Sequence, residues 1–576
     1  MHRLIWLACA GALLCALLAL VACGDDARRE EGAGGGTLTM LVGSDVDYLD
    51  PGHTAFSQGI QLAAATQRPL YSYKPDDLSA LMPDMAAATP VVSRDGRTVT
   101  VRLRSGVRFS PPVGREVTSR DVAYALERSF SVNVGGTYTS YYGDLVGVPS
   151  KPTKGVRPVR GITTPDAHTI VFRLRRPTSA SFIGALTMPA SAPVPKEYAG
   201  PFDAHSPSTY NEHVVATGPY MVRNDAKGNT VGYQPGRLIE LVRNPNWDRA
   251  TDRRPAHLDA IRIRTNASDA TIASRQVLAG SDMVYGVTPP AAILKRVSRG
   301  AERRQAVRVA VGSYRYLPIT TTIKPFDRVD VRRAVLAAFN RAAARQTRGG
   351  AATGPLATHF LPPGLPGFEE AGGMAGAGFD FMSAAKPEGD VAVAHEYMRR
   401  AGFPSGRYTG DETFLVVYGN TPSERNVGQV VKAQFEKLGF RIRLRQVPDD
   451  ALFTNWCSVP AKQVLGCSGV AWLKDFPDPE PMLKPAFGGD AISHTIGNYN
   501  FSQLDDPAIN AAMARASTLT GAARAQAWGA IDTMIVDRAA AVPLQWDVVT
   551  LIRSADVDGV ASLTFGSWDF SYTSLK

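Results

Sequence analysis

Residue types able to do covalent chemistry are present in this chain, but not in working patterns. Ser383-x-x-Lys386 has the spacing of a serine acylase, yet no Ser-Asp-Asn or Lys-Thr-Gly follows and the surroundings are rich in Gly and Ala. His395-Glu396 opens like a zinc-binding helix, but Arg399 stands where the second His would be. The nine histidines are scattered. Neither a nucleophile elbow nor a phosphate-cradling Gly-rich loop occurs, so the expectation is a protein that is not an enzyme and holds no metal or cofactor. Noncovalent capture remains. Asp475 is one candidate for it, in Trp472-Leu473-Lys474-Asp475-Phe476-Pro477-Asp478-Pro479. An Asp before Pro can also simply shape a turn. Trp472 offers a large contact face for a ligand, or packs a core. Tyr418, Gly419 and Asn420 end a predicted strand at the edge where α/β sheets present ligands, or form an ordinary loop.

The five cysteines divide by position. Met1–Arg3 is a short basic start and residues 4–22 are an almost unbroken apolar run, ending in Leu20-Val21-Ala22-Cys23-Gly24. This is the pattern of a secretory signal. The Cys after a small residue also resembles the bacterial lipobox, which makes residues 1–22 a signal peptide and Cys23 a lipidated residue. The other reading is an uncleaved membrane anchor, since the run is nearly long enough to span. Both place the remainder outside the cytoplasm. Residues 23–36, acidic and then Gly-rich, read as a flexible tether. Cys9 and Cys15 leave with the signal, so Cys457 and Cys467 remain and are expected to pair. Closing so short a loop contributes about 2.5–3 kcal/mol in the chain-entropy model.

The elements that must position these residues come next. At 576 residues the chain needs several core units. A net charge of +10 raises the question of nucleic acid. However, Arg102 and Arg104 flank Leu103, and Arg441, Arg443 and Arg445 alternate with Ile442 and Leu444. A period of two is a solvated sheet face, and no basic cluster is interleaved with aromatics as a nucleic-acid groove would be. Alternation at Val99, Val101 and Leu103, and at Ile170, Phe172 and Leu174, predicts an antiparallel, mostly β region over 71–199. Later, 414–418 reads as a strand, Val427, Val431, Phe435 and Leu438 as one helix face stopped at Gly439, and 441–447 as a second strand. That is a βαβ unit with parallel strands. A further helix starts near Asp330 and buries Val331, Val335 and Phe339.

Ten blocks in order then resemble the extracellular solute-binding proteins of peptide and nickel ABC importers, solute-binding family 5. They are Tyr48-Leu49-Asp50-Pro51 and the stretches at 98–110, 117–130, 164–177, 194–199, 216–222, 241–248, 324–341, 394–406 and 472–479. Two places depart from the family pattern. Pro111-Pro112 and Gly114 fill a loop that usually carries Asp-Gly, and Asn340 stands where Asp is common.

The resemblance implies an α/β, periplasmic-binding-protein-like clamshell of two lobes with two crossover segments and an additional β-rich subdomain in the first lobe. Here 37–70, 200–315 and 541–576 would form lobe I, 71–199 the β-rich subdomain and 316–540 lobe II, with crossings near 313–319 and 542–549. It also implies a monomer that is tethered to the extracytoplasmic face of the membrane by its N-terminal lipid. The partners would be a peptide or other small solute and the membrane permease subunits of an importer. In peptide-binding members the acidic residue three after the Trp, here Asp475, pairs with the ligand's α-ammonium. The same fold also serves nickel chelates, haem, oligosaccharides and ligand sensing.

Overall fold

A computed structural model describes residues 35–448, 451–494 and 498–576. The signal peptide, Cys23 and nearly all of the tether lie outside the described residues. Among those described, no helix is long and apolar enough to cross a membrane.

A nine-stranded mixed sheet forms the backbone of the molecule. Thr37–Leu41 runs parallel to both Ala260–Arg264 and Met283–Tyr285, and its Leu38 and Met40 are buried between them. Leu238–Arg243 and Tyr220–Val222 extend one side of the sheet antiparallel. On the other side lie two thirteen-residue strands, Ala306–Pro318 and Ala541–Arg553, paired antiparallel along their length. These two strands join the lobes. Ala306 and Val307 pack against the cores of the first lobe, whereas Tyr314, Tyr316 and Leu317 belong to the core of the second. The change of core coincides with a break in register between Ala310 and Tyr314. Gly312 sits in that break with φ +63°, a conformation side-chain-bearing residues rarely adopt.

The second lobe contains the βαβ unit. Thr413–Tyr418 pairs in parallel with Arg441–Gln446, and the helix Pro422–Lys437 crosses between them. Its start follows from local chemistry: Pro422 occupies the first turn and the Thr421 hydroxyl accepts from the Glu424 N–H at 3.2 Å. Val427, Val431, Phe435 and Leu438 are all buried. Arg441, Arg443 and Arg445 are exposed on the strand whose Ile442 is buried, as a one-sided sheet face requires. The strand Val464–Cys467 covers the other edge of Thr413–Tyr418, which is therefore central. In the helix Val329–Ala338, Val331 and Val335 are buried, and Phe339 just beyond it is buried too. Asn340 caps the next helix, Arg341–Arg348, by accepting from the Ala343 N–H at 2.7 Å. Asp and Asn do this equally well, so the departure from the family pattern has no structural cost.

Between 71 and 199 the strands are fewer than the alternation suggested. A hairpin, Tyr71–Lys74 with Asp77–Pro83, and a four-stranded antiparallel sheet are joined by the helices Ser119–Arg128, Ser179–Ala185 and Lys196–Asp203. Val99, Val101, Ile170 and Phe172 nevertheless form its core, as their spacing demanded. One of its helices anchors the first lobe electrostatically. Arg128 donates to Asp50 at 2.7 and 2.8 Å and to Asp203 at 2.7 and 2.6 Å, with every partner buried. Burial alone would raise the Asp50 carboxyl, but the Arg128 guanidinium overrides it and holds the group below the usual carboxylate range.

Candidate functional site

The site is built around the segment 471–476. Ala471–Leu473 is a short strand that pairs with Ser313, Tyr314 and Arg315 beside the register break, so its position is tied to the crossing strands. The chain then leaves the second lobe's core and enters the first lobe. Lys474 is buried and donates through Nζ to the carbonyls of Val311 and Leu563, the latter at 2.6 Å. Phe476 is buried in the core of the 71–199 region, against Gly184. A Cβ on Gly184 would meet the Phe476 ring at 2.5 Å, so only glycine admits it. The ring also stands edge-on to Tyr141, with centroids 5.2 Å apart.

Asp475 lies between these two anchors. Its side chain is half-buried and lines two cavities. The Tyr141 hydroxyl donates to its Oδ2. No lysine, arginine or histidine of the described residues is within hydrogen-bonding reach of it. Burial pushes the carboxyl up to about 6, and the Tyr141 hydrogen bond offsets only part of that. Lys474, adjacent in sequence, is pushed down to about 7 by burial. The two side chains point to different partners, and each is an ionisable group without a counter-ion.

A cavity of about 910 Å³ opens over Asp475, walled by Tyr138, Tyr141, Trp472, Tyr499 and Phe565. It draws on both lobes and on the 71–199 region. The Trp472 indole N–H donates to the Pro481 carbonyl at 2.8 Å, and its ring meets Tyr499 edge-on at 5.8 Å. The hydrogen bond orients the indole and leaves part of the ring facing the cavity. Two further spaces share its walls. One of about 1230 Å³, past Tyr141 and Tyr499, contains Arg175, Arg176 and Lys484. One of about 1020 Å³, past Ala471 and Leu473, runs along the crossing strands. Together they form a long groove, apolar and aromatic at its centre and polar at its ends, as small-molecule clefts usually are.

Cys457 and Cys467 form a disulfide with Cα atoms 6.2 Å apart. It ties the helical turn Leu452–Cys457 to the strand Val464–Cys467, directly upstream of the Trp472 strand. Tyr418, Gly419 and Asn420 lie elsewhere. They are not among the residues that wall the groove. Main-chain pairing of a ligand with Tyr418 is also closed off, because its carbonyl accepts from the Val447 N–H at 3.0 Å and its strand is paired on both edges. The structure thus brings together Asp475 and Trp472 but leaves Tyr418, Gly419 and Asn420 out. It adds Tyr138, Tyr141, Tyr499 and Phe565, which the sequence did not single out. For Tyr138 and Tyr141 the advance signal was a density of tyrosines at 138–142. Among the described residues no cluster of His, Cys, Asp and Glu has the geometry of a metal site.

Comparison with known proteins agrees with this architecture. A di/tripeptide-binding protein of Pseudomonas aeruginosa is 25% identical over 73% of this chain and 72% of its own. Heme-binding protein A of Haemophilus influenzae is 24% identical over 82% of this chain and 81% of its own. The solved structure of a clavulanic acid biosynthesis oligopeptide binding protein superposes with a TM-score of 0.81 at 29% identity, over 94% of this chain and 96% of that one. Residues 80–494 match the family described as bacterial extracellular solute-binding proteins, family 5, and with that match over most of its length the chain belongs to this family.

Proposed function

We propose that the protein captures peptides in the groove between its lobes and presents them to the membrane permease of an ABC importer, held at the extracytoplasmic face by a lipid on Cys23. In this reading Asp475 receives the ligand's α-ammonium, and Trp472 lines the space for the first side chains. The lobes, 37–70 with 200–315 and 541–576 on one side and 316–540 on the other, carrying 71–199 with the first, close about the crossing strands. A ligand that touches both sides stabilises only the closed form, so its differential affinity shifts the population toward closure. Closure is what a permease can distinguish.

One observation carries this reading. A carboxyl set deep between the lobes, with a hydroxyl donor and no cation, is costly to ionise unless a cationic ligand completes it. Peptide-binding relatives point to the same ligand class. Titration calorimetry with short peptides tests it. Asp475→Ala is expected to weaken peptide binding at least about tenfold (~1.4 kcal/mol), and unchanged affinity removes the assignment. Mass spectrometry of solute co-purified from the native source identifies the natural ligand. A metal chelate or a haem in that preparation would replace the peptide reading.

A further inference from the structure

Asp475 also lines a second cavity of about 740 Å³, walled otherwise mostly by residues of the first lobe. Ile60, Asp475, Thr564 and Phe565 line both this cavity and the groove. Its other walls come from the helix Ser57–Thr66, the hairpin that begins at Tyr71, and the segment 562–572. Apolar wall is supplied by Tyr73, Phe565 and Tyr572.

The hydrogen-bonding groups around this cavity are unevenly spent. The N–H-bearing nitrogens of Arg254 are all engaged. Arg254 gives its N–H groups to Asp252 at 2.7 Å and to the carbonyls of Ala64 and Gln67 at 2.7 and 3.1 Å. Arg253 gives its own to the Ser72 hydroxyl and the Tyr73 carbonyl, both at 2.8 Å. Three acceptors are not committed. Gln67, 3% exposed, uses its amide N–H on the Val215 carbonyl at 3.0 Å and leaves Oε1 with no donor. Asp569, 9% exposed, accepts from the Ser571 N–H through Oδ1 at 3.0 Å, while Oδ2 has no donor among the described residues. Asp475 accepts only from Tyr141.

We propose that this cavity is a subsite for a basic group, a guanidinium or ammonium carried by the ligand close to the end that Asp475 holds. Unspent acceptors at buried positions require donors, and two carboxylates among them require cationic ones. Aromatic walls suit such a group, because ring faces attract cations. Lying directly past Asp475, the cavity takes the side chain of the ligand's first residue. The expected ligand class is therefore a peptide that begins with Arg or Lys, or the free basic amino acid. The inference rests on the assignment of Asp475 to the α-ammonium and goes beyond it by naming the neighbouring side chain.

The test compares Arg-Ala-Ala, citrulline-Ala-Ala and Ala-Ala-Ala by titration calorimetry on the purified protein. Citrulline keeps the shape of arginine and lacks its charge. Arg-Ala-Ala is expected to bind at least about tenfold tighter than citrulline-Ala-Ala. Asp569→Asn, which keeps the Oδ1 acceptor for Ser571, is expected to abolish that preference while leaving Ala-Ala-Ala unchanged. Asp475→Ala weakens all three, which separates failure of the subsite from failure of the ammonium site. Equal affinities in the parent protein, or a preference that survives Asp569→Asn, overturn the proposal. If Asp569→Asn fails to fold, the comparison of Arg-Ala-Ala with citrulline-Ala-Ala in the parent protein decides alone. If no peptide binds the parent protein, the peptide reading falls. Free arginine against citrulline then decides the subsite, and failure of arginine to bind overturns it.

Discussion

Two charged regions of this molecule use the same residue types to opposite effect. In the first lobe Arg128 stands between Asp50 and Asp203 with four hydrogen bonds of 2.6–2.8 Å, and nothing about the set is left unpaired. At the mouth of the second lobe Lys474 and Asp475 are adjacent in sequence, yet neither meets a counter-ion. Desolvation acts on both regions. In the first the ion pairs overcome it, so Asp50 stays below the usual carboxylate range. In the second nothing overcomes it, so Asp475 rises to about 6 and Lys474 falls to about 7. The difference separates charge that the fold pairs from charge that it leaves without a counter-ion.

The comparison breaks if removal of the central charge is tolerated in the first region. Arg128→Met leaves two buried carboxylates without their cation and is expected to cost about 3–5 kcal/mol, read by chemical denaturation. A smaller loss would mean that the paired set is not architectural. Lys474→Met tests the unpaired region. The lysine's folded value of about 7 lies below its unfolded value, so the wild type is penalised increasingly as pH falls from 10 toward 7 and fully below 7. The variant should therefore gain on the wild type over that window, by on the order of 3 kcal/mol, as followed by melting temperature against pH. A flat difference would show that Lys474 keeps its charge at no cost.

Asp475→Asn is the acidic counterpart, with a smaller effect because the side chain is only half-buried. Its folded value of about 6 exceeds the unfolded one, so the wild-type penalty is absent below pH 4, develops between 4 and 6, and is complete above 6. Without ligand, the variant is expected to be more stable by about 1–2 kcal/mol at pH 7.5 and equal to the wild type at pH 3.5. The same substitution that stabilises the empty protein should impair capture, which is the signature of a group held ready for a ligand. Tyr141→Phe gives the smallest change. It removes the one donor to Asp475, and the carboxyl should titrate higher still, at a cost in stability under about 1 kcal/mol. Infrared titration of the carboxyl band reads it directly.

Much of the local structure was legible from residue order. The βαβ unit, its exposed arginine stripe and the helix that buries Val331 and Val335 follow from period, caps and turn residues, which act over a few positions. Ten blocks in sequence order placed the chain in its family and singled out Asp475 and Trp472. The alternation over 71–199 suggested more strand than the region holds, because its helices Ser179–Ala185 and Lys196–Asp203 are only about two turns long. Tyr418 was plausible by the rule that sheets present ligands at their carboxyl edge, but that rule does not say which strand is covered on both sides.

By itself, then, the sequence determined which segments fold locally and which carboxylate stands beside the aromatic and proline residues of 472–479. Only the tertiary structure decided that Arg128 would be paired and Asp475 would not, that Phe476 would leave its own lobe for the core of another, and that Gln67 and Asp569 would face one cavity. The physical reason is range. Helix periods, caps and turns join residues a few places apart, whereas burial and counter-ion pairing join residues tens to hundreds of positions apart, and these set what each carboxylate can do.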